Sequence, residues 1–441
     1  TVLLPKTAQP GGWKETRPIT LSSAVLKTLA QLLQHRLGGA LREPSRVQYA
    51  IRGRQAAEMT VVIQRLIRLG DEWGLPLLMA KLDVRQAFDR VSQPKVAQLL
   101  RERCGASHPW EVATWTTMVF AREIRVHVAG RDLTVRQSNG VRQGSPDSPT
   151  LFSLLNEDVT VKAIREAREA GGLVTTGTLN MAPGPIPASL LLFMDDAWVI
   201  ALRWEDLQTK VTALTDALRG VGLAIGPAKT QIIAAPAAPA GGIRIYGEAV
   251  KPEPVGAVVS ALGTGVGFRI PVNTPMREAC ARARGAYWGQ RALFQREAPI
   301  SKRLQLFERT VQATALWNAG TFVPQKQGLQ MLNACQTKLV RNMRGRTRRE
   351  GETWLDSELR TLRRARGDVS RGASGRWSTI VLQRVWELWG HIARQVGVTR
   401  EVMQWRNLAW WRREQALLHG QRHPARFCPN IDPERLIQEV V

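Results

Sequence analysis

The chain has 441 residues, 44% of them hydrophobic, and carries 62 Lys and Arg against 37 Asp and Glu, a formal net charge of +25. That length and apolar content support a large buried core in two or three domains, which excludes a disordered chain, and the surplus charge attracts a polyanion, nucleic acid ahead of an anionic membrane surface. No apolar run approaches the roughly 18 residues that span a bilayer and the first residues form no signal peptide, so a soluble, intracellular protein with no membrane partner is expected.

In chain order, the opening TVLLPKTAQPGGWKETRPITL reads as two short apolar runs around a Pro/Gly turn, so the chain is expected to start inside a domain. Ser22 to Leu37 has helical spacing of Val25, Leu26, Leu29, Leu32, Leu33 and Leu37, and a second helix is predicted from about Glu58 to Leu69. Leu75 to Val84 is a short apolar run ending in charge, as a buried strand does, and Pro94 opens a helix through Arg103. Alternation around Gly130 predicts a hairpin from Ile124 to Val135, followed by a long helix from Ser148 to Ala170 that stops at Gly171 and Gly172. Ser189 to Leu202 is two apolar runs broken by Asp195 and Asp196, read as a hairpin with both acids at its tip. A helix from Trp204 to Gly220, a strand from Thr230 to Ala234 and a Pro/Ala/Gly loop from Pro236 to Gly242 follow, giving an α+β alternation.

After about Arg269 only helical patterns remain. Arg341 to Arg376 holds eleven arginines against five acidic residues and is read as a mobile basic segment. Trp377, Trp386, Trp389, Trp405, Trp410 and Trp411 crowd the region beyond it, either packing a helical core or stacking on bases, with core packing weighted two to one. Cys104, Cys280, Cys335 and Cys428 are widely spaced without a CxxC pair, so reduced thiols are expected, with neither a disulfide framework nor a structural zinc. Cys428 with His419 and His423 falls short of a zinc ligand set.

The chemistry concentrates in acids set against apolar runs. Asp83 ends a strand, and Phe193-Met-Asp-Asp196 places two more carboxylates where unpaired charge is costly unless a cation is bound. A lone strand-end Asp is more often a cap or surface residue, and paired Asp in a hairpin is common turn chemistry. Three such carboxylates together suit hard cations and nucleotidyl transfer, in which two Mg²⁺ ions roughly 3.5–4 Å apart serve the attacking and leaving oxygens.

LDVRQAFD, GVRQGSPDSPTLF, FMDD and GLAIGPAKT stand in the order and approximate spacing of the palm motifs of reverse transcriptases, and LLPK and RPITL resemble that family's fingers segments. The RQGSPxSPxLF form most resembles non-LTR (LINE-type) retrotransposons, over roughly residues 1 to 268. The resemblance implies an α+β right-hand polymerase: fingers and palm with an antiparallel sheet at 1–268, a helical thumb at 269–345, and a basic, Trp-rich helical region at 346–441. It implies an RNA-directed DNA polymerase that extends a DNA primer on template RNA with dNTPs, with two Mg²⁺ ions, or Mn²⁺ in their place, held by Asp83, Asp195 and Asp196. Asp196 is the least certain of these ligands. By the same resemblance, Lys6 and Arg17 grip the triphosphate, Phe88 blocks a ribose 2′-hydroxyl, Gln143 and Gly144 lie against the nucleotide, and Lys229 stands near the leaving pyrophosphate. An endonuclease acting in trans and a location in nucleus and cytoplasmic ribonucleoprotein are further expectations.

The sequence departs from the pattern at Gly226-Pro227, where the family usually has Asn before the lysine, and at Ser260-Ala-Leu-Gly263, a poor match to a primer grip. The usual endonuclease domain and the cysteine-histidine knuckle are missing, which suggests a fragment or a partly decayed element. The alternatives are a group II intron-type reverse transcriptase or other palm polymerase, and a transposon-derived nucleic-acid-binding protein that has lost catalysis.

Overall fold

The structure is a computed structural model that describes residues 2–5, 11–12, 15–41, 47–120, 122–128, 130–169, 178–181, 184–187, 189–345, 348–372, 375–395 and 398–403. The chain divides into two compact units, one of Thr1–Gln55, Pro76–Asn180 and Pro185–Glu253, the other of Ala56–Leu75, Met181–Gly184 and Pro254–Val441. The break thus falls at Glu253, and the helix after residue 55 sits with the C-terminal part of the chain.

In the first unit the strands are β1 (Val2–Pro5), β2 (Thr16–Ile19), β3 (Leu78–Asp83), β4 (Arg122–Val128), β5 (Arg131–Gln137), β6 (Thr178–Met181), β7 (Gly184–Pro187), β8 (Leu190–Phe193), β9 (Asp196–Ala201), β10 (Gln231–Ala234), β11 (Ile243–Ile245) and β12 (Glu248–Val250). Its helices are α1 (Ala24–Leu41), α3 (Ala87–Arg90), α4 (Gln93–Cys104), α5 (Pro109–Val119), α6 (Ser148–Glu169) and α7 (Trp204–Arg219), while α2 (Ala56–Trp73) belongs to the other unit.

A four-stranded antiparallel sheet in the order β10-β3-β9-β8 is the frame of this unit. Side chains alternate across each strand. One face carries Leu78, Ala80 and Leu82 of β3 with Ala197, Val199 and Ala201 of β9, all in one core with Phe152 and Leu155 of α6 and Leu207, Val211 and Leu214 of α7. The opposite face therefore carries Met79, Lys81 and Asp83 beside Asp196, Trp198 and Ile200. Burial of most of both faces, relieved only at Lys81, Asp83 and Phe193, explains why β3 and β8 read as apolar runs rather than as alternation.

Among the described residues after Pro254, the second unit has strands β13 (Val259–Ala261) and β14 (Thr264–Val266), joined in a tight hairpin through Leu262 and Gly263, both at positive φ. From Thr274 on, its described residues are helical: α8 (Thr274–Gly289), α9 (Arg291–Phe294), α10 (Ile300–Phe307), α11 (Ala313–Ala315), α12 (Lys326–Arg344), α13 (Trp354–Arg371), α14 (Trp377–Arg394) and α15 (Val398–Met403). Trp377 is fully buried, stacks on Phe307 at 6.0 Å and donates from its indole N–H to Gln312. Trp386 is half exposed, and Trp405, Trp410, Trp411 and Cys428 lie outside the described residues.

The expectation of a mobile basic segment is corrected by α13. Thr353 caps that helix, accepting from the Asp356 N–H, and inward-facing acids take up nearby arginines: Glu358 with Arg341, Asp368 with Arg344, and Glu352 with Arg360. Charge counted along the sequence hides this pairing, because each acid meets arginines from another turn or from α12.

Candidate active site

Register in the sheet brings the first two acids together. Asp83, the last residue of β3, faces Asp196, the first of β9, across the antiparallel ladder. Asp195 lies exposed at the tip of the β8–β9 turn. Although its surface is open to solvent, the chain packed around the turn partly desolvates its carboxyl and raises it above the usual carboxylate range, and repulsion from Asp196 and Asp83 adds to the rise. Asp196 is raised as well, by burial first and by Asp83, with Lys81 opposing. Lys81 Nζ lies 3.5 Å from Asp196 Oδ1, and the exposed Lys229 Nζ lies 4.0 Å from Asp83 Oδ2.

The turn that presents the two acids is strained, since Met194 sits at φ 55, a left-handed conformation unusual for a side chain of that size. Two buried amides hold it there. Asn156 of α6 donates to the Met194 carbonyl at 2.8 Å, and Gln48 Oε1 accepts from the Met194 N–H at 3.3 Å. Gln48 lies on a segment that pairs with β8, with the Tyr49 N–H on Leu192 O at 2.8 Å.

The loop after β5 docks on the turn after β3. Gly140, at φ 82, donates to Val91 O at 2.7 Å, Val141 donates to Phe88 O at 2.7 Å, and a Cβ at Gly140 would stand 2.6 Å from Phe88 O. Phe88 is half buried and stacks on Phe152 at 5.1 Å. Gln143 Nε2 donates to Asp89 Oδ1 at 3.1 Å, and Gln143 O accepts from the Thr20 N–H at 2.7 Å. Gly144, at φ 101, approaches Thr20 O so closely that a Cβ would lie 2.9 Å from it. The end of β2 is therefore fastened to the Gln143-Gly144 loop, and Arg17, exposed on β2, stands three residues before that junction. Lys6 lies outside the described residues.

A polymerase-type arrangement of acids, aromatic and Gln-Gly loop is on one unit, and comparison with known proteins decides the family. The profile described as "Reverse transcriptase (RNA-dependent DNA polymerase)" matches residues 4–258, more than half of the chain. The chain belongs to this family. It is 28% identical over 238 residues to the "Retrovirus-related Pol polyprotein from type-1 retrotransposable element R2" of Nasonia vitripennis, covering 53% of this chain and 22% of that one. A protein of the same description from Popillia japonica is 27% identical over 231 residues, 51% of this chain and 30% of that one. The chain thus spans under a third of the length of these relatives. Similar solved structures include apo telomerase from Candida tropicalis truncated from its C-terminal domain, with 19% identity, TM-score 0.37 and coverage of 55% and 44%. The RNA-dependent RNA polymerase of a human picorbirnavirus aligns with 11% identity, TM-score 0.40 and coverage of 83% and 60%. The α+β right-hand polymerase fold and the kinship with non-LTR retrotransposon reverse transcriptases, both implied by the motifs, are borne out.

Several residues that hold the family's motif segments in place escaped sequence reading. Asp147, 1% exposed, accepts from Trp115 Nε1 at 3.0 Å and from the Ser145 hydroxyl, and so shapes the loop after Gln143. Gln34 of α1 donates to Pro146 O at 3.1 Å. Lys81 could have been noticed, as the one cation in an apolar strand and two residues before Asp83 on the same face. Asn156 follows Leu154 and Leu155 but precedes Glu157 and Asp158, so it reads as the start of a polar face, and Gln48 carries no local signal.

The family generally works with divalent metal ions. Three carboxylates supply hard oxygen donors, and the desolvation and mutual repulsion that raise Asp195 and Asp196 are what a divalent cation offsets, so the donor chemistry fits. Among the described residues, however, no three His, Cys, Asp or Glu side chains converge tightly enough to hold an ion. Two ammonium groups stand on Asp83 and Asp196 instead.

Proposed function

We propose that this chain is the RNA-directed DNA polymerase part of a non-LTR retrotransposon, adding deoxynucleotides to a DNA primer along an RNA template. The observation that carries the reading is the facing pair Asp83 and Asp196 with Asp195 at the adjoining turn, in a chain whose family is the reverse transcriptases. Asp83, Asp195 and Asp196 would hold two Mg²⁺ ions, or Mn²⁺, which supply Lewis-acid activation of the 3′-hydroxyl and charge neutralisation at the pyrophosphate. The residues of the chain bind and orient around that centre. Phe88, braced by Phe152, blocks a 2′-hydroxyl. Gln143 and Gly144 form the wall against the base pair, and Arg17 and Lys6 grip the triphosphate. Lys229 Nζ, free to leave Asp83, gives a proton to the departing phosphate oxygen. A nuclease acting in trans supplies the primer end, and the protein works in nucleus and cytoplasmic ribonucleoprotein.

Primer extension on an RNA template with dNTPs and Mg²⁺ tests this reading. Wild-type protein should extend and Asp195→Asn should not; extension by that variant at the wild-type rate would sink the site assignment. One observation favours a second reading, nucleic-acid binding without catalysis: the lysines on both facing acids. RNA binding with no extension at any Mg²⁺ or Mn²⁺ concentration would establish it.

A further inference from the structure

Three of the five acids of the basic segment are spent on its arginines, while Glu350 and Asp356 are exposed, Asp356 in the Thr353 cap. Glu358 holds Arg341, Asp368 holds Arg344 and Arg371, and Glu352 holds Arg360. Helix α13 turns Ser357, Thr361, Ala365, Asp368 and Val369 inward. At 3.6 residues per turn, Arg363 falls opposite these residues, Arg366 about 60° to one side of it, and Arg364 about 100° to the other side, next to the buried edge. All three are exposed, and among the described residues none has an acidic partner. The helix thus has Arg360 and Arg371 paired with acids and leaves Arg363 and Arg366 on its outer side, with Arg364 at the margin within the same turn. Each offers paired N–H donors matched to phosphate oxygens. Like charges so close repel one another unless a polyanion stands against them.

We infer that the outer side of α13 is a second nucleic-acid contact, in which Arg363 and Arg366, with Arg364 at its margin, bind the phosphate backbone of a strand away from the reacting end. The helix lies beyond residues 4–258 matched to the family, so nothing in that match assigns it a role. The nature of the polyanion rests on the polymerase reading; the charge geometry does not. The face works as an anchor, raising affinity for the strand without touching the chemistry.

The test is the salt dependence of binding by the full chain carrying R363Q/R364Q/R366Q, with single-stranded RNA and an RNA–DNA duplex as separate probes. A control, R101Q/K162Q/R165Q, removes equal charge from exposed positions on α4 and α6. Loss of three phosphate contacts should flatten the plot of log affinity against log salt by about 2 on single-stranded RNA and weaken binding in about 0.1 M salt by about 10- to 100-fold. The control should change both by far less. Whichever probe shows the larger loss identifies the strand that is held. Extension at saturating template-primer should keep its wild-type rate. Three results overturn the inference: an unchanged slope on both probes, an equal loss in the control, or a folded variant that loses its saturated rate. If wild type fails to extend any primer while the slope still differs, the polymerase reading falls and the anchor stands.

Discussion

Removing the Asn156 side chain should damage catalysis more than stability. Its amide, 1% exposed, makes one 2.8 Å bond to the carbonyl of Met194, the residue held at φ 55 immediately before Asp195. Asn156→Ala deletes that bond and leaves a buried carbonyl short of a donor, a loss of about 1–3 kcal/mol in unfolding free energy. The strained turn then relaxes, with Gln48 still on the Met194 N–H. A shift of about 1 Å in a reacting group is enough for about 100-fold in rate. Chemical denaturation gives the first quantity and single-turnover primer extension the second. Asn156→Asp, which keeps the shape but loses the donor, should resemble the alanine variant in rate. A rate within threefold (about 0.6 kcal/mol) of wild type in both variants, at the expected loss of stability, would refute the idea that this amide positions the acids.

Gly140→Ala should lose about 3 kcal/mol or more, since a Cβ there would stand 2.6 Å from two backbone carbonyls at a φ of 82; a melt within two degrees of wild type argues against this docking. Phe88→Ala should raise ribonucleotide incorporation, read as the ratio of rNTP to dNTP efficiency, and an unchanged ratio removes Phe88 from sugar selection. Asp195→Asn should melt no lower than wild type at neutral pH. The Asp195 carboxyl is raised by burial and by its acidic neighbours, so its ionisation opposes folding as pH climbs through its folded value, and the difference should close as pH falls into the carboxylate range. Lys210, buried with its Nζ on Ile200 O at 2.8 Å, is pushed down to about 8 by burial. Its folded state holds fewer protons than the unfolded chain above that value, so wild type should gain about 2 kcal/mol more than Lys210→Met between pH 7.5 and 9.5; denaturation at both pH values would show parallel curves if Lys210 does not titrate.

Where the chain advertised its structure, it did so through periodicity and punctuation. The apolar run ending at Asp83, the interrupted run at Asp195-Asp196 and the alternation around Gly130 each became the expected strand or hairpin. Helix α5 went unread although Val112, Trp115 and Val119 stand at i, i+3 and i+7, because Trp110, Ala113 and Met118 put further apolar residues on its other faces and blur the period. The three-residue strands between Ile243 and Val266 are too short to show alternation. At the site, the motif residues were legible as acids and glycines in sequence, whereas their supports come from far away: Gln48 reaches Met194 across 146 residues and Trp115 reaches Asp147 across 32. Those pairings belong to the tertiary fold, and no local pattern encodes them.

The strand pairing of Asp83 with Asp196 means that one ladder sets both the core and the reacting centre. A slip of one residue would turn Leu82 and Ala197 out of the core and carry both aspartates to its underside. Mutational drift in the buried Leu78, Ala80 and Val199 is consequently not silent for chemistry. A repacked core that keeps its volume but rotates β3 would leave a stable shell with misaligned acids, so on the proposed reading synthesis is lost long before the fold.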